Sequence, residues 1–160
     1  MIRLATLSDI PAIRSIAENT WPDTYSNIIS HDQLIYMLIR MYSDGSLQKQ
    51  FNEGHQFYIA EENNHPIGFA SISNDEGSIY QLNKLYVLPA SQKTGTGKAL
   101  INQAIEHAKK LGGTQVILRV NKLNKAVSFY KKQGFSIIEE SILELEHGFV
   151  MDDFIMGINV

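Results

Sequence analysis

The chain has 160 residues, of which 44% are hydrophobic, and its 17 acidic and 14 basic side chains give a formal net charge of −3. This length and balance are typical of one globular domain, so we expect a single domain over residues 1–160. The chain contains no cysteine, which excludes disulfides, a thiol nucleophile and thiolate metal sites. No run of lysine or arginine forms a basic patch, so nucleic acid is not an expected partner.

Two further kinds of site are not expected. The five histidines are scattered without the spacing of paired metal ligands, so we expect no metal. The opening residues, MIRLATLSDI, lack the basic and apolar regions of a signal peptide, and no apolar stretch reaches membrane length. We therefore expect a cytoplasmic protein that makes no membrane contact.

The N-terminal third predicts one strand followed by helices. Residues 2–6 alternate like a strand, and Ser8 is the expected cap of a first helix, since apolar residues recur at helical spacing after it. Ser30 and Gln33 form a capping-box pattern before a second helix, and a shorter helix is expected at residues 46–52.

The rest of the chain predicts a meander followed by alternating helices and strands. Residues 57–73 read as two strands around a polar turn, and residues 78–88 as a third strand that ends at Pro89. An apolar helical face then runs from Lys98 to Gly112, and a buried strand, a short helix and two more strands follow. The order β-α-α-β-β-β-α-β-α-β-β indicates an α+β fold with a mixed, mostly antiparallel central sheet flanked by helices.

Residues 91–100, SQKTGTGKAL, contain part of a triphosphate-binding loop. Gln92 stands where that loop has its first glycine, and Ala99 stands where it has a magnesium-binding Ser or Thr. The remaining Gly95 and Gly97 precede a helix, so several N–H groups can converge on an anion at its N-terminus. We interpret this loop as a pyrophosphate cradle that works without metal. The alternative is a glycine-containing turn that only starts a helix.

Two segments together resemble a known family. LYVLPASQKTGTGKAL, residues 85–100, and NKAVSFYKKQGF, residues 124–135, are similar to the two signature segments of the GNAT superfamily of N-acetyltransferases. The order of predicted elements matches the fold of that family over essentially the whole chain. The resemblance implies an enzyme that uses acetyl-CoA as co-substrate and acetylates an amine.

The resemblance places the coenzyme on two stretches of backbone. The pantetheine arm is expected along Leu85, Tyr86 and Val87, where the strand splays from its parallel neighbour at residues 114–121. The N–H of Val87 is then placed to polarise the thioester carbonyl. For the side chains of Leu85 and Val87 we expect ordinary core packing. The pyrophosphate is expected on the cradle, which consists of Gln92, Lys93, Thr94, Gly95, Thr96, Gly97 and Lys98.

The second signature segment supplies the expected general acid. Amine attack on a thioester releases a thiolate, and a phenol that stays protonated at neutral pH can give it a proton. The resemblance places this role on Tyr130, for which the alternative is packing between helix and sheet, as we expect for Phe129. Asn124 matches a position that hydrogen-bonds the coenzyme arm, and a role at the start of the following helix is compatible with that.

The general base is not identified by the resemblance. Many relatives carry a glutamate on the strand that ends at Val87, whereas this chain has Gln81 and Asn83 there. Neither amide accepts a proton usefully. The proton could leave through water, the amine could arrive neutral, or another group could serve. The candidates for that group are Asp23, Tyr25, Asp152 and Asp153.

The acceptor is indicated only by short similarities. TWPDTY and GFVMDDFIM resemble a bacterial branch that includes polyamine acetyltransferases. Trp21 and Tyr25 could line an amine pocket, and Asp152 and Asp153 could attract a cation. The alternatives are that Trp21 packs beneath the helices and that only one of the two adjacent aspartates faces the site.

The prediction is a GNAT-like enzyme that acetylates a primary amine of a small molecule, with a polyamine as one acceptor, by direct attack and without an acyl-enzyme. Peptide or protein N-terminal acetylation is one alternative, and a catalytically silent acyl-CoA-binding module is another. The resemblance also leaves a homodimer open.

Overall fold

The computed structural model describes residues 1–160 and contains seven strands and five helices. The predicted α+β order is confirmed, and the short stretch expected near residues 46–52 is a regular helix. The elements are β1 Ile2–Leu4, α1 Ile10–Tyr25, α2 His31–Tyr42, α3 Asp44–Asn52, β2 Gln56–Glu62, β3 His65–Glu76, β4 Ile79–Val87, α4 Thr96–Lys110, β5 Gln115–Asn121, α5 Ala126–Lys132, β6 Ser136–Glu144 and β7 Val150–Asn159.

One mixed sheet holds all seven strands in the order β1-β2-β3-β4-β5-β7-β6. Every neighbouring pair is antiparallel except β4 and β5, which are parallel. Parallel neighbours need a crossover connection, and here α4 supplies it. The predicted antiparallel meander is thus the β2-β3-β4 part of a mostly antiparallel sheet.

Each face of the sheet carries its own apolar cluster. On one face, α4 and α5 cover residues such as Leu82, Leu118 and Met156. On the other face, α1, α2 and α3 cover Phe57 and Phe69. No helix of the structure is long and apolar enough to cross a membrane.

The starts of the first two helices differ in how far the sequence predicted them. Ser8 does not cap α1, which is a correction: a short 3-10 turn precedes the helix, and the Asp9 carboxylate accepts the N–H of Thr6 at 2.9 Å. At α2 the expected cap is present, because Ser30 Oγ accepts the N–H of Gln33 at 3.1 Å. The Gln33 side chain donates instead to the Val150 carbonyl at 2.7 Å, which ties α2 to β7.

A β-bulge in β4 decides which side chains reach each face of the sheet. Leu82 pairs with Ile72 on β3 and Lys84 pairs with Ser71, so Asn83 is an extra residue between them. Because a bulge shifts the alternation by one residue, Lys84 and Tyr86 lie on the face covered by α1 to α3. Leu85 and Val87 pack against the cluster on the α4 face.

Candidate active site

The loop between β4 and α4 presents a row of free N–H groups. Lys93 has a φ of 64° and Gly95 has a φ of 87°, and these two left-handed residues curl the chain tightly. The helical ladder begins only where the Ala99 N–H donates to the Gly95 carbonyl at 3.0 Å. The N–H groups of residues 93–98 therefore donate to no acceptor in the chain. Together with the helix dipole of α4, they suit an anion.

Side chains hold this loop in place from below. The Thr94 hydroxyl donates to the Ser91 carbonyl at 2.6 Å and lies 2.9 Å from the Thr96 hydroxyl. A Cβ at Gly97 would lie 3.2 Å from the ring of Phe129, so α5 packs closely against the start of α4. Gln92 and Lys98 are exposed at the rim. The loop is thus supported by side chains and open on the side of its backbone N–H groups.

Strands β4 and β5 separate halfway along their length. Their parallel pairing runs from Ile79 with Gln115 to Leu82 with Leu118 and then stops. Beyond that point β4 stays paired with β3 as far as Val87, and β5 stays paired with β7 as far as Asn121. The edge of residues 83–87 that faces β5 therefore has no strand partner, although the Gln92 side chain donates to the Val87 carbonyl at 3.0 Å.

Three phenols lie around this opening, of which Tyr130 is buried and Tyr25 and Tyr86 are partly buried. Tyr130, on α5, is 7% exposed, and its hydroxyl forms no hydrogen bond within the chain. The hydroxyls of Tyr25 and Tyr86 lie 2.9 Å apart. Burial raises the pKa of all three phenols above the ordinary value of 10.0, so each is protonated at neutral pH. Tyr25 is therefore unsuited to the base role that the sequence left open for it.

Asn124 lies at the turn that precedes α5. Its Oδ1 accepts the N–H of Ala126 at 2.9 Å. This bond fixes the start of the helix that carries Tyr130, as expected for a residue in that position.

A cavity of about 220 Å³ opens between the separated strands on the α1–α3 face. Trp21 forms part of its wall and is 2% exposed, with its ring 4.5 Å from that of Tyr25, so it both packs and lines the cavity. The strands contribute polar side chains from both flanks of the opening. These are Gln81, Asn83, Lys84, Arg119, Asn121 and Asp153.

The carboxylates proposed as bases have different positions. Asp153 is 2% exposed and lines the cavity, and its Oδ2 accepts a hydrogen bond from Arg119 Nε at 3.1 Å. Burial raises the pKa of Asp153, although Arg119 opposes the rise. Asp152 is turned away and pairs with Lys122 at 3.0 Å, while Asp23 is exposed outside the cavity. As expected, only one of the two adjacent aspartates faces the site, and it is Asp153. Asp152 and Asp23 lie outside the cavity, so neither is placed to act as the base.

Comparison with known proteins agrees with this geometry. A family model described as an acetyltransferase (GNAT) domain matches residues 30–151. The chain belongs to the GNAT acetyltransferase family. It is accordingly an acetyl-CoA-dependent N-acetyltransferase.

Several known proteins are similar to this GNAT acetyltransferase in sequence or structure. An uncharacterized N-acetyltransferase of Methanocaldococcus jannaschii is 40% identical over 96 residues, which cover 56% of this chain and only 42% of that protein. The spermidine N(1)-acetyltransferase of Thermoplasma acidophilum is 28% identical over 142 residues, or 85% of this chain and 88% of that protein. The crystal structure of the PaiA N-acetyltransferase of T. acidophilum with coenzyme A superposes with a TM-score of 0.83 at 26% identity, covering 100% of this chain and 98% of the other.

The sequence did not indicate the three basic side chains in the cavity of this acetyltransferase. Lys84 is 6% exposed, Arg119 joins Asp153, and His55 lines the wall just before β2. A strict alternation along β4 places Lys84 on the same face as Leu82, and only the bulge at Asn83 reverses this.

No cluster of three or more side chains that could hold a metal ion is present.

Proposed function

We propose that this GNAT acetyltransferase transfers the acetyl group of acetyl-CoA to a primary amine of a small molecule by direct attack of the amine on the thioester. The observation that carries the proposal is the position of the cavity. It is lined by Asn83 on β4 and by Arg119 and Asn121 on β5, the residues that flank the opening between the strands. The opening therefore connects free strand backbone with a cavity of acceptor size.

The coenzyme would use backbone at both ends of the open edge. Its pyrophosphate would accept hydrogen bonds from the N–H groups of residues 93–98, which have no acceptor in the chain. Its pantetheine arm would pair with Leu85, Tyr86 and Val87, where β4 lacks a neighbour. The Val87 N–H would stabilise negative charge on the thioester oxygen. Asn124 would contact the arm from the start of α5.

Tyr130 would act on the leaving sulfur. The amine nitrogen donates its electron pair to the carbonyl carbon, the carbon–sulfur bond breaks, and the sulfur carries the negative charge away. A free thiol has a pKa of about 8.5, so the thiolate can accept a proton from a nearby donor. The hydroxyl of Tyr130 has no partner within the chain, and burial raises its pKa, so it stays protonated and would stabilise the departing thiolate by donating a hydrogen bond to it. Because a phenol with a raised pKa is a weaker acid than a thiol, this hydrogen bond, rather than complete proton transfer, is its role.

The proton lost by the amine would leave through Asp153 or through water. Of the carboxylates considered, Asp153 is the one that lines the cavity, and burial raises its pKa toward that of a useful base. Its bond to Arg119 acts in the opposite direction. An amine that arrives neutral avoids the loss of its ammonium proton, but it still gives up one N–H proton by one of these routes when the amide forms.

The size of the cavity favours a small acceptor. A volume of about 220 Å³ is below the roughly 300–1,000 Å³ typical of drug-sized ligands. A polyamine is a further candidate, because a spermidine N(1)-acetyltransferase is among the relatives.

The test is thiol release from acetyl-CoA in the presence of spermidine, simple diamines, amino acids and short peptides. Turnover with one of the small amines and none with peptides supports the proposal. Turnover with peptides alone would establish the N-terminal alternative instead. No turnover with any amine, while calorimetry shows coenzyme binding, would mean a silent binding module.

A further inference from the structure

The charge of Lys84 has no counter-ion in the protein. Its ammonium is buried and donates one hydrogen bond, to Gln50 Oε1 at 2.7 Å. It lies 5.4 Å from the centre of the Tyr42 ring, which offers a cation–π contact. No carboxylate lies within 4.0 Å of Lys84. An ammonium has three N–H donors, so two of them lack an acceptor in a place where charges are normally paired.

The remaining charges of the cavity do not compensate Lys84. Asp153 is the one acidic side chain in the wall, and it is already bound to Arg119 at 3.1 Å. Two more buried nitrogens in the cavity wall, Arg119 Nη2 and His55 Nδ1, also have no hydrogen-bond partner, and the His55 nitrogen is a donor in the tautomer that carries its proton. With a neutral His55, the wall carries two positive charges and one negative charge, which gives it a net charge of +1.

The charged groups of the wall that still lack an acceptor, Lys84 and Arg119, are both hydrogen-bond donors. A cavity of this kind repels a polycation and attracts an anion. Burial lowers the pKa of Lys84 to about 8, so the ammonium is still the main form at neutral pH. A bound anion would stabilise that form further.

We propose, on the basis of the function proposed above, that Lys84 binds a carboxylate of the acceptor, so that the preferred acceptor is an amino acid or a similar amino-carboxylate and not a polyamine. The carboxylate would occupy the two free donors of Lys84, with Arg119 Nη2 or His55 Nδ1 as additional partners. The amine of the same molecule would point toward the opening between β4 and β5.

The first arm of the experiment compares matched acceptors on the wild-type enzyme. Each α- and ω-amino acid is paired with its amide, which keeps the amine and removes the negative charge. A charged hydrogen bond in a buried site predicts a kcat/KM at least about tenfold higher for the acid than for the amide. Equal values, or a preference for spermidine, would overturn the inference while leaving acetyl transfer to small amines intact.

The second arm replaces Lys84 by methionine, which keeps the length of the side chain. Lys84→Met should raise KM for the amino acid by about tenfold or more and erase the preference over the amide, with coenzyme affinity unchanged. Lys49→Met, on the solvent side of α3, is the control and should change nothing. If Lys84→Met instead lowered kcat equally for all amines, Lys84 would be a base, and the binding role would be wrong.

Absence of the proposed acetyl transfer can be distinguished from absence of the carboxylate site. If no amine is turned over although coenzyme A binds, calorimetry of the amino acid and its amide on the coenzyme-bound protein still decides the question. Binding of the acid alone, lost in Lys84→Met, supports the carboxylate site. Binding of neither compound, or of both equally, refutes it.

Discussion

The coenzyme loop and the acceptor cavity lie at the same opening but are built in different ways. The loop is one contiguous segment, residues 93–98, and it offers backbone N–H groups. The cavity draws side chains from α1, α2, β4, β5 and β7, which are far apart in the chain. Backbone recognition in a glycine-containing segment leaves a short motif, whereas a wall of side chains from five elements leaves none. The difference explains why the chemistry of this enzyme can be read more easily than its acceptor.

The largest expected effect is the loss of coenzyme affinity when the backbone of the loop is displaced. In Gly97→Val, the new side chain would collide with the Phe129 ring, since a Cβ alone lies 3.2 Å from it, so the start of α4 and its free N–H groups would have to shift. We expect acetyl-CoA affinity to fall by about 10²-fold or more in calorimetry. Gly45→Val is the matched control, because a Cβ at Gly45 meets nothing within 4 Å. Unaltered affinity in Gly97→Val would remove the pyrophosphate from this loop.

The next effect tests the burial of charge in the cavity. Lys84 has a pKa of about 8 in the folded protein against 10.5 in the unfolded chain, so the unfolded chain binds more protons between these pH values. The free energy of unfolding of the wild type should therefore rise by about 3 kcal/mol from pH 8 to pH 10.5, relative to Lys84→Met. Denaturant unfolding of both proteins across this range measures the difference. A constant gap between them would show that the ammonium is solvated.

Tyr130→Phe tests the one side chain that the signature segment assigns to the chemistry. Loss of the hydroxyl should lower kcat by about 10²-fold with little change in coenzyme affinity, because the proposed hydrogen-bond donor acts only on the leaving thiolate. Tyr36→Phe, on α2 and outside the cavity, serves as the control in the same thiol-release assay, because the Tyr36 hydroxyl accepts a hydrogen bond from Arg40 and lines no part of the site. A normal kcat would leave Tyr130 as a packing residue.

The smallest expected effect is on coenzyme affinity when a side chain of the loop is removed. Gln92→Ala removes the hydrogen bond to the Val87 carbonyl at 3.0 Å but leaves every N–H of residues 93–98 in place. We expect coenzyme affinity to change by less than about tenfold, as for one exposed hydrogen bond. A loss as large as that of Gly97→Val would mean that side chains, and not backbone, hold the coenzyme.

The sequence predicted the fold in nearly every element, since the apolar periodicities and the turn residues agree with the observed strands and helices. It also predicted which strands separate, because the family that the sequence resembles has this separation. The cap of α1 was wrong because Asp9 reaches back to Thr6 through a short 3-10 turn. Lys84 was missed for a different reason. Strand alternation assigns it to the wrong face, and the bulge at Asn83 is set by pairing with β3, a tertiary contact that local patterns do not contain.

The most direct measurement is a crystal structure of the enzyme with coenzyme A and the best amino-acid acceptor. We expect the pyrophosphate to bind the N–H groups of residues 93–98 and the sulfur to lie within hydrogen-bonding distance of the Tyr130 hydroxyl. We expect the acceptor carboxylate to bind Lys84. A pyrophosphate bound elsewhere, or a sulfur out of reach of the Tyr130 hydroxyl, would contradict the account.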